Sequence, residues 1–302
     1  MVTACITRCW LLTALLLWGR YSVPAVQPTA RATGDLKVST LANGLRVASQ
    51  ETASPVASVG VYVDAGSRTE QRSEAGLSYL LQRLAFKSTQ TRSSLRLTRD
   101  IEDAGLHVSA LSSRDSLVYS GEGARSHVGD LVSILGESVM EPLLADWEVA
   151  MWQGITGAYD TPVIEGDANI ALSEATHAAA YQDDTPLGHS SYVSSATLGN
   201  VSSNDLRAFI TRNFAANKMV VSAAGVSHDE LVSSVEQVFG SAPATAEGSA
   251  GSASYLGGYV RSAAPGPVAY YSISFEGASL ADGAAGKSES RGELCHVRIV
   301  VF

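Results

Sequence analysis

Two neighbouring stretches determine the fold: VASVGVYVDA at residues 56–65 and GLSYLLQRLAFKST at residues 76–89. The first alternates and is rich in β-branched residues, a pattern that predicts a strand with one buried face. The second is rich in leucine and predicts a buried helix over residues 75–86. The polar run between them, residues 66–74, predicts a loop, so the order is strand, loop, helix.

Upstream of this unit the sequence predicts a hairpin. Residues 37–41 and 45–50 are strand-like runs, and Asn43-Gly44 between them suits a tight turn because both residues tolerate positive φ. Downstream, Gly105 closes a predicted helix over residues 94–104. Further helices are predicted at residues 127–141, 145–159, 168–181, 203–213 and 227–239, and further strands at 107–111, 116–122, 218–224 and 268–275. This grouping of strands and helices predicts an α+β fold with helices on one face of a largely antiparallel sheet.

Composition limits the function classes. The 302 residues are 45% hydrophobic, with 21 Lys and Arg against 30 Asp and Glu, a net charge of −9. Such a chain has enough apolar residues for a sizeable core, and it lacks the basic cluster of a nucleic-acid-binding protein. The three cysteines, Cys5, Cys9 and Cys295, have neither the spacing of a disulfide framework nor that of a zinc finger.

The first 34 residues form a predicted leader and linker. They contain no Asp or Glu but carry Arg8, Arg20 and Arg31, which is typical of a mitochondrial transit peptide. An apolar run at residues 10–18 equally fits the core of a secretory signal and is too short to span a bilayer. This segment alone therefore does not decide between mitochondrial import and secretion.

The setting of the helix at residues 76–89 resembles the pitrilysin-type metallopeptidase family, which includes mitochondrial processing peptidases and the core subunits of the cytochrome bc1 complex. Active members carry H-x-x-E-H on this helix. The two His bind zinc, the Glu activates the bound water, and a distant Glu completes the ligands. The resemblance extends over residues 35–283 and is carried by LANGLRVASQE (41–51), SPVASVGVYVDAGSR (54–68), LTRDIEDAG (97–105), WEVA (147–150), THAAAYQ (176–182) and GVSHDEL (225–231).

Carried onto this chain, the motif is degenerate. Its positions hold Tyr79, Gln82 and Arg83, and the distant Glu falls near Tyr159 or Asp160. Tyrosine is a poor zinc ligand at neutral pH, glutamine carries no charge to act as a general base, and arginine places a fixed positive charge at the metal position. The resemblance thus implies an inactive homologue with no catalytic residue, no metal and no cofactor.

The resemblance also divides the chain. Residues 1–34 are leader and linker, 35–241 an inactive pitrilysin-type domain, 242–258 a Gly/Ser/Ala-rich linker, 259–283 the start of a second such domain, and 284–302 an unrelated tail. The tail ends in VRIVVF, a strand-prone sequence for which we expect no sheet to join.

Within the family, these stretches resemble the core-2 type of bc1 subunit. That implies a structural subunit of ubiquinol–cytochrome c reductase (complex III) in the respiratory chain, peripheral to the matrix side of the mitochondrial inner membrane. Its partners would be core subunit 1 and other bc1 subunits, with no nucleic acid and no small-molecule substrate. The alternative is the non-catalytic, presequence-recognising alpha-type subunit of the processing peptidase. An active peptidase with unusual ligands would have to bind zinc without the His pair.

Other candidate residues favour structural interpretations. His177 lies on a predicted helix without a second His or Cys at ligand spacing, and Ser78 lacks a surrounding G-x-S-x-G. The remaining candidates are interpreted as surface, loop or turn residues: His107, His127, His189, His228, the Asp183-Asp184 pair and Gly257-Gly258.

Overall fold

The computed structural model describes residues 34–182, 185–246, 254–261, 269–275 and 295–301. The strands in these ranges are β1 (Lys37–Thr40), β2 (Arg46–Gln50), β3 (Val56–Val63), β4 (His107–Ser112), β5 (Leu117–Ala124), β6 (Met219–Ala224), β7 (Ala269–Phe275) and β8 (Cys295–Val301). The helices are α1 (Leu77–Leu84), α2 (Ser94–Asp103), α3 (Val128–Met140), α4 (Asp146–Ile155), α5 (Thr161–Gly166), α6 (Ala168–Tyr181), α7 (Ser203–Asn213) and α8 (His228–Phe239).

Six strands form one sheet in the order β1-β2-β6-β3-β5-β4. Every neighbouring pair is antiparallel except β2 and β6, which run parallel. The predicted α+β class with a mostly antiparallel sheet is therefore confirmed. Strand β6 comes late in the sequence yet lies between β2 and β3, so the sheet is complete only once residue 224 has been reached.

The predicted hairpin joins β1 and β2, whose register pairs Lys37 with Ser49 and Thr40 with Arg46. Gly44 has φ of 93°, a conformation that glycine adopts without steric cost. The Asn43 side chain accepts a hydrogen bond from Leu45 N and donates one to Phe239 O, which ties the turn to the end of α8.

One face of the sheet carries the core. Along β3, Ala57, Val59, Val61 and Val63 are buried whereas Tyr62 on the other face is exposed, as period-two alternation requires. Helices α3 and α8 pack on the buried face and approach each other closely at Gly136, where a Cβ would collide with Val238. The helices in the described ranges are too short or too polar to cross a membrane.

Two sequence predictions about connections need correction. The predicted helix at 145–159 does not end there: α4 runs through a π-helical turn, Thr156–Asp160, into α5. The expectation that the tail has no sheet to join is wrong for its last strand, because β8 pairs antiparallel with β7 along the whole of both strands. The two strands are separated by about twenty residues of sequence, so this pairing cannot be inferred from the strand-prone tail alone.

The end of the predicted 242–258 linker is docked on the domain. Leu256 N and Gly257 N both donate hydrogen bonds to Ala180 O in the last turn of α6. The ring of Tyr255 also lies edge-on to that of Tyr181, with centroids 6.2 Å apart. The division of the chain into domains otherwise stays a prediction.

Candidate functional site

The loop from β3 to α1 fixes where α1 begins. Ser67 N and Arg68 N donate hydrogen bonds to Ser113 O and Arg114 O in the β4–β5 turn, at 3.3 and 2.9 Å. A Cβ at Gly66 would collide with that turn, so the two loops touch backbone to backbone. This contact places the start of α1 beside the edge of the sheet.

A buried carboxylate, Glu70, caps the start of α1. It is 5% exposed and accepts hydrogen bonds from Gly76 N at 2.8 Å and Ser78 N at 2.6 Å. Burial raises the pKa of Glu70 to about 7, although the hydrogen bonds to Ser78 and Gly76 act in the opposite direction. Sequence reasoning missed this residue, because a cap supplied from several residues upstream leaves no local pattern.

Gly76 immediately precedes α1 and has a backbone conformation and surroundings that only glycine fits. It has φ of 92°, and a Cβ there would lie 2.7 Å from Val193 Cβ. Both the backbone conformation and the close approach therefore require glycine at this position.

The first motif position, Tyr79, is buried in a small apolar cluster with Val193 and Leu198. Its ring lies edge-on to that of Tyr192, with centroids 5.6 Å apart. Burial raises the pKa of Tyr79, and the nearby charge of Asp160 raises it further. The phenol thus stays neutral at physiological pH and packs as an apolar side chain.

The second position, Gln82, connects α1 to the edge strand of the sheet. Its Oε1 accepts hydrogen bonds from Ser112 N at 3.0 Å and Ser112 Oγ at 2.8 Å. Gln82 therefore satisfies a backbone donor at the end of β4. Its side chain therefore links α1 to β4.

The third position, Arg83, pairs with Asp160. Arg83 Nη2 lies 2.7 Å from the Asp160 carboxylate, and the two side chains are 35% and 18% exposed. Asp160 ends the π-helical turn, a feature that widens the helix by one residue and often occurs at functional sites. Of the two candidates for the distant carboxylate, the structure brings Asp160 to α1 and leaves Tyr159 in solvent.

These residues do not fit a zinc ion. Tyr79 is neutral and packed, Gln82 is held by Ser112, and Arg83 presents N–H groups, which cannot bind a cation. In the described part of the chain there is no group of three or more His, Cys, Asp or Glu arranged to hold a metal.

The end of α1 is held to α4 by residues that sequence reasoning also missed. The Lys87 ammonium lies 4.3 Å from the centroid of the Trp152 ring, and burial lowers the pKa of Lys87. The buried Glu148 on α4 accepts hydrogen bonds from Ser88 N and Oγ. Both ends of α1 are therefore fixed independently of any metal.

The remaining candidates lie apart from this site. His228 is not the surface residue expected: its ring nitrogens lie 2.6 Å from Ser39 Oγ and 2.7 Å from Ser49 Oγ, so it joins α8 to β1 and β2. His177 Nδ1 lies 3.0 Å from Ser173 O, one turn earlier on α6. Asp183 and Asp184 fall outside the described residues.

Two family models match the chain. One, described as "Insulinase (Peptidase family M16)", matches residues 46–192, and one described as "Peptidase M16 inactive domain" matches residues 200–288. The chain belongs to peptidase family M16. The boundary between the two matches precedes β6, which completes the six-stranded sheet, so it falls inside one structural unit of this M16 chain.

Several curated relatives are named as processing-peptidase subunits. The chain is 35% identical over 240 residues to "Mitochondrial-processing peptidase subunit alpha" of Solanum tuberosum. The aligned residues make up 80% of this chain and 47% of the relative. It is 35% identical over 241 residues to a probable alpha-1 subunit of Arabidopsis thaliana, again covering 80% and 47%. With "Mitochondrial-processing peptidase subunit beta" of Bos taurus it shares 32% over 215 residues, 71% of this chain and 44% of the relative.

The chain thus spans about half the length of the curated relatives it matches. The resemblance to the pitrilysin-type family is confirmed at the level of the family. The names of these relatives favour the processing-peptidase alternative over the bc1 core-2 interpretation.

Proposed function

We propose that this M16 chain is a non-catalytic, alpha-type subunit of a mitochondrial processing-peptidase assembly. In this role it binds presequences and pairs with a second M16 subunit that performs the cleavage. The observation that carries the proposal is the Arg83–Asp160 ion pair, at 2.7 Å, between α1 and the π-helical turn.

The ion pair is incompatible with metal-dependent hydrolysis. A zinc peptidase needs ligands that donate electron pairs and a carboxylate that takes the proton of the bound water. Here the Arg83 guanidinium pairs with the Asp160 carboxylate. The uncharged Gln82 side chain cannot accept a proton from a bound water. Arg83 instead joins α1 to the π-helical turn.

A second candidate is a structural subunit of the bc1 complex, the core-2 type, paired with core subunit 1 on the matrix side of the inner membrane. The stretches at residues 41–51, 54–68 and 225–231 favour it. The alpha-subunit names among the relatives give the first candidate more support. Both candidates place the chain in mitochondria without catalytic activity.

Co-expression separates these candidates. The full chain is produced with a tagged beta-type subunit, and the purified material is analysed by native mass spectrometry and presequence-peptide cleavage. We expect a one-to-one pair, and cleavage only when the partner is present. Chelator-sensitive cleavage by the isolated chain would refute the proposal. Comigration with the bc1 complex on native gels of mitochondria, without pairing to the beta-type subunit, would favour the second candidate.

A further inference from the structure

Helix α2 carries its charges in an unfavourable order. Arg96 and Arg99 come first along the helix, and Asp100, Glu102 and Asp103 follow them. A helix has a partial positive charge at its N-terminus and a partial negative charge at its C-terminus, so acidic residues are favourable early and basic residues late. The first turn of α2 holds no Asp or Glu and its last turn holds no Lys or Arg. The order of its charges therefore opposes the helix dipole.

Contacts within the chain use only some of these charges. Arg96 Nε lies 2.9 Å from the Asp100 carboxylate, one turn later on α2. A basic residue followed by an acidic one is the weaker of the two orders for such a pair. Arg99, Glu102 and Asp103 are exposed, and they form no ion pair within the part of the chain that the structure describes. These three charges therefore remain available to a partner.

The same side of α2 also carries an exposed apolar residue. Leu95 is 71% exposed and lies one turn before Arg99. Arg99 and then Glu102 follow Leu95 at intervals of four and three residues, so the three lie along one side of the helix. We call Leu95, Arg96, Arg99, Glu102 and Asp103 the α2 surface. It is basic in its first half and acidic at its end.

A cavity of about 340 Å³ opens between α2 and α3, beside the acidic end of the α2 surface. Its polar lining consists of Arg92, Asp100, Asp103, His127 and Asp130. The Arg92 guanidinium is already engaged within the chain, by Asp100 at 3.2 Å and by Glu137 at 2.9 Å. Three aspartates thus face one arginine, and His127 Nδ1 lies 3.1 Å from Asp130. The cavity therefore favours a cation and has room for one long side chain.

An antiparallel second copy of α2 is the partner that fits this surface. In a two-fold contact both chains use the same surface, so the contact must be complementary to itself. Two antiparallel helices bring the basic half of each against the acidic end of the other. A partner helix of a single sign would complement only one end of the α2 surface and would be repelled by the other.

We propose that the α2 surface joins two copies of this chain in a two-fold pair. Arg96 and Arg99 of one copy lie against Glu102 and Asp103 of the other, and one of these arginines reaches the acidic cavity. Helix α2 has 10 residues, about 15 Å of helix axis, so the contact is small and the pair is weak and concentration-dependent. This pairing goes beyond the proposed function and needs neither a beta-type subunit nor Arg83.

Sedimentation velocity of the full chain over a concentration series measures this pairing. Each copy carries a net charge of −9, so the buffer contains about 0.15 M salt, which screens repulsion over distances beyond about 8 Å. We expect the sedimentation coefficient to rise from the value of a monomer towards that of a dimer as the concentration increases. A chain that stays monomeric up to about 1 mM overturns the proposal.

Two charge-reversed variants locate the surface. Arg96→Glu with Arg99→Glu makes the charges of the α2 surface wholly acidic, and Glu102→Lys with Asp103→Lys makes them wholly basic. Each variant alone is expected to pair at least about tenfold more weakly than the unaltered chain, because like charges meet. An equal mixture of the two is expected to form a mixed pair at least as tight as the unaltered pair. If either variant alone pairs as tightly as the unaltered chain, or if the mixture stays monomeric, the antiparallel contact is refuted.

The control separates the α2 surface from net charge. Lys37→Glu with Arg46→Glu, at exposed positions on β1 and β2, gives the same change in net charge as the acidic variant and should leave pairing unchanged. An equal loss of pairing by this control overturns the assignment to α2.

Both α2 variants place charges in the order that the helix dipole favours, so we expect neither to melt at a lower temperature than the unaltered chain. If one does, the single changes Arg99→Glu and Glu102→Lys replace the double changes with the same expectations for each variant and for their mixture.

Discussion

Glu70 and Asp160 are two largely buried carboxylates that contact opposite ends of α1, and the protein holds them in different ways. Glu70 is held by the backbone amides of Gly76 and Ser78, and burial raises its pKa to about 7. Asp160 is held by the guanidinium of Arg83. The first arrangement is a helix cap, whereas we propose that the second replaces a metal site. The start of α1 is thus held by the backbone of the fold, whereas its second half is held by an ion pair between side chains.

The largest loss of stability is expected for a substitution just before α1. Gly76→Ala should lower the free energy of unfolding by about 4 kcal/mol, because the positive φ and the contact with Val193 both oppose a Cβ. Urea denaturation measures it. Gly105→Ala is the control: it has φ of 62° but nothing within 4 Å, and should cost only about 1 kcal/mol. Equal losses would show that the contact with Val193 is not rigid.

The next largest effect is the contribution of Glu70 to the pH dependence of the free energy of unfolding. Its pKa in the folded chain, about 7, lies above the ordinary value of 4.5, so the folded state binds the proton more tightly than the unfolded state. The stabilisation is complete below about pH 4.5 and is lost as pH rises to about 7, a decrease of about 3 kcal/mol. Glu70→Gln should remove this part of the pH dependence, as measured by urea denaturation from pH 4.5 to 8. If the free energy of unfolding changed with pH in the same way in the variant and the unaltered chain, Glu70 would have to be ionised over this whole pH range.

At the other end of α1, breaking the ion pair should cost less, because Arg83 is partly exposed. Arg83→Met should destabilise the chain by about 2 kcal/mol, since the largely buried Asp160 is left without its cation. The variant Arg83→Met with Asp160→Asn should lose less than the sum of the single changes. Additive losses in this double-mutant cycle would show that the two side chains do not interact.

The smallest loss of stability is expected for a substitution of Gln82. Gln82→Met leaves Ser112 N without its acceptor and should cost about 1 kcal/mol. Gln90→Met, at an exposed position shortly after α1, should change the free energy of unfolding by less than about 0.5 kcal/mol. A Gln82 variant as stable as the Gln90 variant would indicate that water replaces the side chain at Ser112.

The framework around α1 could be predicted from sequence because its signals are local. The alternation at residues 56–63 specifies β3, and Asn43-Gly44 specifies the hairpin. The positions of Tyr79, Gln82 and Arg83 followed from family resemblance rather than from residue patterns.

The rest depends on contacts that the sequence does not record. The choice between Tyr159 and Asp160 depends on a π-helical turn, whose extra residue has no sequence signature. Glu70 acts across a loop, and His228 contacts strands that precede it by more than 170 residues. The pairing of β8 with β7 is likewise non-local and could not be expected from a strand-prone tail alone.

The most direct test of the degenerate centre is the zinc content of the purified full chain, measured by mass spectrometry after dialysis against zinc-containing buffer. The unaltered chain should carry no stoichiometric zinc, because Arg83 presents only N–H donors at this position and pairs with Asp160. The variant with Tyr79→His, Gln82→Glu, Arg83→His and Asp160→Glu, which restores the donors, should bind about one zinc per chain. One tightly held zinc in the unaltered chain, with no gain in the variant, would contradict the assignment of this centre as degenerate.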